Sequence, residues 1–380
     1  MRKITFLLPF LIVAGCAHVA TPPPDRLFHD EFFARPTEPI GAADVFALSD
    51  EMKSYLHVEI AGQIKDKGAL QGLVDALASK DQLKIEYDSA QTRNAAQTFK
   101  ERAGNCLSLV IMTSALAKEL GLPVYYYGVG VEESWSRAGG LYFSSGHVNL
   151  TLGKRFFDMD GRASSSGLIM IDFNPLPANR KQRTWPIAEA TILAMYMNNR
   201  SAEALARGQL DDAYWWVRAA VRQDPVFQGA HNTLGVIYRR HGNLVEAENA
   251  LRYALDLAPS NIQVMSNLSI VLNDLGRFEE ARRLTAILER ERPYRPFHFF
   301  DLGLTAMQAG DFQTARDLFT KEIARDADNH EFHFWLGLAY YRLGNLNRAR
   351  KHLSLAMEFS PTRIERDLYA TKLDKLRAYQ

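Results

Sequence analysis

Cys106 is the side chain in this sequence best placed for covalent chemistry. It follows Ala103-Gly104-Asn105 and opens an apolar run from Cys106 to Leu120 that Gly121 and Pro123 close, a pattern that predicts a helix starting at the cysteine. At a helix N-terminus, unpaired backbone N–H groups and the helix dipole stabilise an anion, which lowers a thiol's pKa and makes the thiolate available as a nucleophile. The same N–H groups could receive an oxyanion. A thiolate still needs a base and a group to orient that base. Ser144-Ser145-Gly146-His147-Val148-Asn149-Leu150 places a histidine after a turn at the start of a strand-like run, and Ile169-Met170-Ile171-Asp172-Phe173-Asn174-Pro175 ends a second strand in an aspartate. Asp158 and Asp160 in RFFDMDG are rivals for the aspartate, on a strand that could reach the histidine strand through a Gly153-Lys154 turn.

The elements that must hold these residues mix helix and strand. Helical windows run over Ala42 to Ala61, Leu70 to Ala78 and Asn94 to Arg102; a short extended piece covers Ile85 to Tyr87, Ala103-Gly104-Asn105 is a turn, and Val124 to Val131 reads as a strand. Asn105, Tyr126, Tyr127 and Trp135 are available to line a cleft or to serve as packing and turn residues.

Over about residues 83 to 176 this resembles the transglutaminase-like cysteine fold, which is shared by transglutaminases, bacterial transglutaminase-like (papain-like) peptidases and inactive relatives. In that family a cysteine opens a core helix, and a histidine and an aspartate follow on adjacent strands of a small antiparallel sheet. The resemblance implies Cys106 as nucleophile, His147 as base and Asp172 as the group that orients it. Leu107 stands where animal transglutaminases carry a tryptophan, so the likeness is closer to the bacterial branch and to hydrolysis.

The N-terminus has its own chemistry. Arg2 and Lys3 precede an apolar run, Ile4 to Val13, that is too short to span a bilayer as a stable helix, and Ala14-Gly15 precede Cys16. This is similar to a bacterial lipoprotein signal peptide with the lipobox Val13-Ala14-Gly15-Cys16, which implies cleavage before Cys16 and its lipidation. Ala17 in place of an aspartate implies the outer membrane facing the periplasm. Pro22, Pro23 and Pro24 would stiffen the tether.

The C-terminal half repeats at an offset of 34. Gly208, Gly242, Gly276, Gly310 and Gly344 share that spacing, as do Ala213, Ala247, Ala281, Ala315 and Ala349; Pro225, Pro259, Pro293 and Pro361 follow it, with Ala327 as the exception. Leu234-Gly235, Leu268-Ser269, Leu302-Gly303 and Leu336-Gly337 add a second small position. Each unit reads as two helices with glycine in the turn between them and alanine where they approach closely. The pattern resembles tetratricopeptide repeats, which implies a curved solenoid that binds a protein or peptide in its groove. Trp215, Trp216, Phe299, Phe300, Phe332, Phe334 and Trp335 fit either inter-helix core or that groove. His298, His330 and His333 read as surface or groove residues.

The expected organisation is a signal peptide (1–15), a lipidated tether (16–24), an α+β transglutaminase-like domain (25–193), an all-α solenoid of five repeats (194–363) and a capping helix (364–380). Forty-five basic against 44 acidic residues, a net charge of +1, argue against binding nucleic acid by phosphate neutralisation. Two cysteines exclude a disulfide scaffold and a paired-thiol zinc site, and no phosphate loop, HExxH helix or GxSxG elbow occurs, so no cofactor is expected. The expected activity is a thiol protease or amidase acting on peptide or protein amides. The competing expectation is a lipid-anchored scaffold without catalysis. A cell-wall enzyme acting on peptidoglycan stem peptides is a third possibility that shares the chemistry and differs in substrate.

Overall fold

The computed structural model describes residues 25–79, 83–154, 156–157, 163–164, 167–173 and 183–378. The signal peptide, Cys16, the proline tether, Asp158 and Asp160 lie outside the described residues. After two 3₁₀ turns come α1 (Asp50–Ser54), a wide turn over Tyr55–Glu59, α2 (Ala61–Lys67) and α3 (Ala69–Ala78). The helix expected from Ala42 therefore begins only at Asp50, because Ser49 caps it there: its hydroxyl accepts the Met52 N–H.

Next come β1 (Glu86–Tyr87), α4 (Ala95–Glu101), β2 (Ala103–Gly104) and α5 (Cys106–Glu119). Asn94 and Gln97 form a reciprocal cap at the start of α4, and Arg102 ends it in the left-handed region at φ 51°. That reversal lays Ala103–Gly104 beside β1 as a parallel pair, so two of the three expected turn residues are strand instead. The Glu86 N–H reaches the Arg102 carbonyl and the Asp88 N–H the Gly104 carbonyl. In α5, residues 107–117 are all buried, which is why its sequence is apolar on every side.

The main sheet is antiparallel with strand order β7-β4-β3-β8, from β3 (Val124–Ala138), β4 (Leu141–Gly153), β7 (Leu168–Ile171) and β8 (Arg183–Ile187); β5 (Phe156–Phe157) and β6 (Ala163–Ser164) pair separately. β3 outruns its expected end at Val131 because the chain turns only at Gly139-Gly140, at φ 56° and 71°. Register is irregular between Val129 and Ser134. His147 consequently sits inside β4 and not after a turn: Val129 faces it across the ladder.

Eleven helices follow: α6 (Glu189–Ala206), α7 (Leu210–Gln223), α8 (Gln228–His241), α9 (Leu244–Leu257), α10 (Ile262–Asp274), α11 (Phe278–Glu291), α12 (His298–Gln308), α13 (Phe312–Ile323), α14 (His330–Arg342), α15 (Leu346–Glu358) and α16 (Arg363–Ala378). The first ten pair into five helical hairpins, and α16 closes the array against α15. All five turn glycines adopt positive φ, between 76° and 96°. The alanine row is buried throughout. A Cβ on Gly235 or Gly303 would stand 2.5 Å from Leu251 or Phe319, so these positions must stay small. Ser201 belongs to the same row, and its hydroxyl bonds the Ala213 carbonyl.

Several contacts bind the repeats to the rest of the chain, three sets of them beyond the packing of α6 on α5 and β3. Residues 27–38 lie across α7 and α8, where Phe33 stacks on Tyr214 with ring centroids 3.9 Å apart, and Thr37 donates twice to Asp212. The tip of the β3–β4 hairpin enters the repeats: Arg240 donates to the Gly139 carbonyl, and Arg137 pairs with Asp301 of α12 and Glu331 of α14. Beside β1, the Ser89 N–H bonds the Pro361 carbonyl, and Arg363 pairs with Glu86.

The solenoid core is divided. One apolar cluster joins the α+β part to the first three repeats through Ala281, and a second holds repeats four and five with Trp135 packed against it. Leu302 marks the seam. It is 46% exposed, whereas Leu234, Leu268 and Leu336 at the same repeat position are at most 2% exposed.

Candidate active site

Cys106, His147 and Asp172 come together. Asn105 is the N-cap of α5, its carboxamide oxygen accepting the Ser108 N–H, so Cys106 is the first helical residue with its backbone N–H at the open end. Its thiol is partly exposed and lies 4.0 Å from the Gly146 carbonyl, directly before His147. β7 pairs with β4 through Leu150 and Ile171, and the next residue, Asp172, reaches across to His147 with Nε2 donating to Oδ1 over 2.8 Å. Both side chains are shielded, at 6% and 14% exposure.

Nε2 is thereby committed to Asp172, which leaves Nδ1 for the thiol. Burial pushes the imidazole pKa down, but hydrogen bonds to Asp172 and Cys106 and the charges on both outweigh it, and the net result is about 9. An imidazole held in this way retains its proton at neutral pH. The arrangement can transfer a proton between thiol and ring while a carboxylate fixes the ring's orientation.

Other candidates are placed elsewhere. Tyr126 is buried and donates to Glu189, and with Tyr127 it lines a cavity of about 210 Å³ between β3 and β8 that neither Cys106 nor His147 lines. Trp135 packs against the repeats, its carbonyl accepting from Asn329, so it is no cleft residue. Among the repeat aromatics, Trp216, Phe300 and Phe332 are buried core. Trp215 instead holds residues 27–38, donating from its indole to the Ala34 carbonyl. His333 was expected at the surface or in the groove but is buried, bonding the Ala327 carbonyl and His352, as His231 bonds the Pro225 carbonyl at the same repeat position. No group of three or more His, Cys, Asp or Glu side chains suited to a metal occurs among the described residues, and none of their helices is long and apolar enough to cross a membrane.

Tyr87 and Thr92 are neighbours of the site that the sequence did not signal. Tyr87 is raised in pKa by burial and by charge on Cys106, since β1 runs beside the strand that leads into the cysteine. Thr92 is 2% exposed and accepts a hydrogen bond from the Asn105 carboxamide.

Tetratricopeptide-repeat family profiles match residues 198–262, 238–294 and 300–363. Over 121 residues the chain is 31% identical to the type IV pilus assembly protein PilF of Pseudomonas aeruginosa, covering 31% of this chain and 48% of that one. It is 25% identical over 184 residues to Superkiller protein 3 of Schizosaccharomyces pombe, covering 46% of this chain and 13% of that one. A solved structure of Pseudomonas aeruginosa PilF aligns at 21% identity with a TM-score of 0.27, over 48% of this chain and 91% of its own. The chain thus spans less than half the length of each of these curated relatives. Its C-terminal region is an array of tetratricopeptide repeats, an architecture that serves as a protein-interaction scaffold.

Proposed function

We propose that this protein is a lipid-anchored, periplasm-facing thiol hydrolase of the transglutaminase-like type, cleaving peptide or protein amides, with repeats that recruit a protein partner or substrate. The observation that carries the reading is His147, bonded to Asp172 on one side and set toward Cys106 at the open end of α5 on the other. The Cys106 thiolate, paired with protonated His147, attacks the substrate carbonyl. The developing oxyanion is received by backbone N–H groups at the start of α5. His147 returns its proton to the leaving amine, which gives a thioester and a free amine; water, deprotonated by His147, then releases the acid and regenerates the thiol. A polypeptide held on the repeats raises its effective concentration beside the cysteine. The β3–β4 hairpin runs from the repeats back to His147, a path along which such a segment would travel.

Alkylation of the full chain carrying Cys16→Ser, which leaves Cys106 as its one thiol, tests the chemistry. The expected result is a fast iodoacetamide reaction at neutral pH that slows at least tenfold in His147→Ala. An equal rate in both proteins would overturn the catalytic reading. It would favour a second one, a non-catalytic anchored scaffold for envelope assembly, which the similarity of the repeat region to a pilus assembly protein supports.

A further inference from the structure

The first repeat helix carries polar groups that a repeat does not need. Glu203 on α6 occupies the position at which later repeats place Ile237, Val271 and Ala339, all buried and apolar, with only Thr305 departing. Its carboxylate is itself shielded, at 19% exposure. A carboxylate in a packed helix interface costs stability unless it is bonded. Glu203 is bonded to one loop: its Oε1 accepts the Thr92 N–H over 2.7 Å. Asn199, one turn earlier on the same helix, donates to the Thr92 hydroxyl over 3.2 Å.

Thr92 in turn holds the nucleophile's cap. Its hydroxyl accepts from the Asn105 carboxamide over 3.0 Å, while Asn105 caps α5 through the Ser108 N–H. The neighbouring Arg93 N–H closes a second stitch to the Ser108 hydroxyl at 2.9 Å. Helix α6 therefore grips the loop, the loop grips both capping residues, and the cap sets where Cys106 begins its helix. We infer that Asn199 and Glu203 are positioning residues for Cys106, so that the first repeat helix belongs to the active site as well as to the solenoid. This rests on the catalytic reading of Cys106. Arg200 on the same helix pairs with Glu203 and with Glu38 of the N-terminal segment, which extends the support toward residues 27–38.

The test compares second-order alkylation of Cys106 by iodoacetamide from pH 5 to pH 9, with thermal unfolding, in the full chain carrying Cys16→Ser. The variants are Glu203→Ala, Glu203→Gln, Asn199→Leu, Leu268→Ala and His147→Ala. Loss of one hydrogen bond in the chain is expected to slow alkylation about fivefold in Glu203→Ala and Asn199→Leu and to move their pH profiles toward that of His147→Ala. Glu203→Gln keeps an oxygen acceptor for the Thr92 N–H and should restore most of the rate. Leu268→Ala should lower the melting temperature and leave the rate unchanged. Rates within twofold of the parent for Glu203→Ala and Asn199→Leu, while His147→Ala is slow, would overturn the positioning role alone. A Glu203→Gln rate no better than that of Glu203→Ala would also overturn it. If His147→Ala itself leaves the rate unchanged, the catalytic reading falls first, and the two failures are told apart.

Discussion

The guanidinium of Arg137 stands 2.7 Å from the Glu331 carboxylate and also lies over the ring of Phe300, so the β3–β4 hairpin and repeats four and five hold one another. Repeats four and five therefore depend on the hairpin for support that earlier repeats draw from their neighbours.

Arg137→Ala should loosen that end selectively. Two part-exposed ion pairs and a ring contact together are worth about 1–2 kcal/mol. Hydrogen exchange should speed up across α12 and α14 and stay unchanged in α8 and α10. Unchanged exchange over 298–342 would mean that the hairpin does not support this end.

The seam should also appear in cavity costs. Leu268→Ala removes a fully packed side chain and should cost about 2–5 kcal/mol, whereas the half-exposed Leu302 should cost less than about 1 kcal/mol when truncated. Urea unfolding of the two variants measures the difference, and equal losses would show a sealed stack between α11 and α12 in solution.

Stability should change with pH through His147. Its pKa is raised on folding, to about 9, so its contribution is fully present below the unfolded value near 6.5 and is lost as the pH rises through about 9. The full effect is on the order of 3 kcal/mol at most. Asp172→Asn should remove much of it, so the stability gap between parent and variant should narrow from pH 6.5 to pH 9.5. A constant gap in urea titrations at those pH values would contradict the pairing.

Local patterns carried much of this architecture. The turn glycines and the buried alanine row were readable because each repeat solves one packing problem, five times over, with the same small residues. α5 was readable because a cap, an apolar run and a glycine stop are all local signals. The Ala103–Gly104 strand was not, since its partner β1 lies 17 residues earlier in the register Glu86 to Ala103 and nothing local marks the pairing. Placing His147 after a turn failed for the same reason: the glycines that turn the hairpin are Gly139 and Gly140, and the Ser144-Ser145-Gly146 run lies within the strand.

By itself the sequence determined the number and period of the repeats, the helix that Cys106 opens, and the order in which cysteine, histidine and aspartate follow one another. Tertiary structure alone decided that Asp172 meets His147 across β7 and β4, that the hairpin docks on α12 and α14, and that Asn199 and Glu203 reach the loop beside the cysteine. The physical reason is range. Helix caps, turns and repeat spacing act over a few residues and leave a pattern in the sequence, whereas a hydrogen bond such as that from Thr92 to Glu203 joins positions 111 residues apart whose meeting depends on every element packed between them.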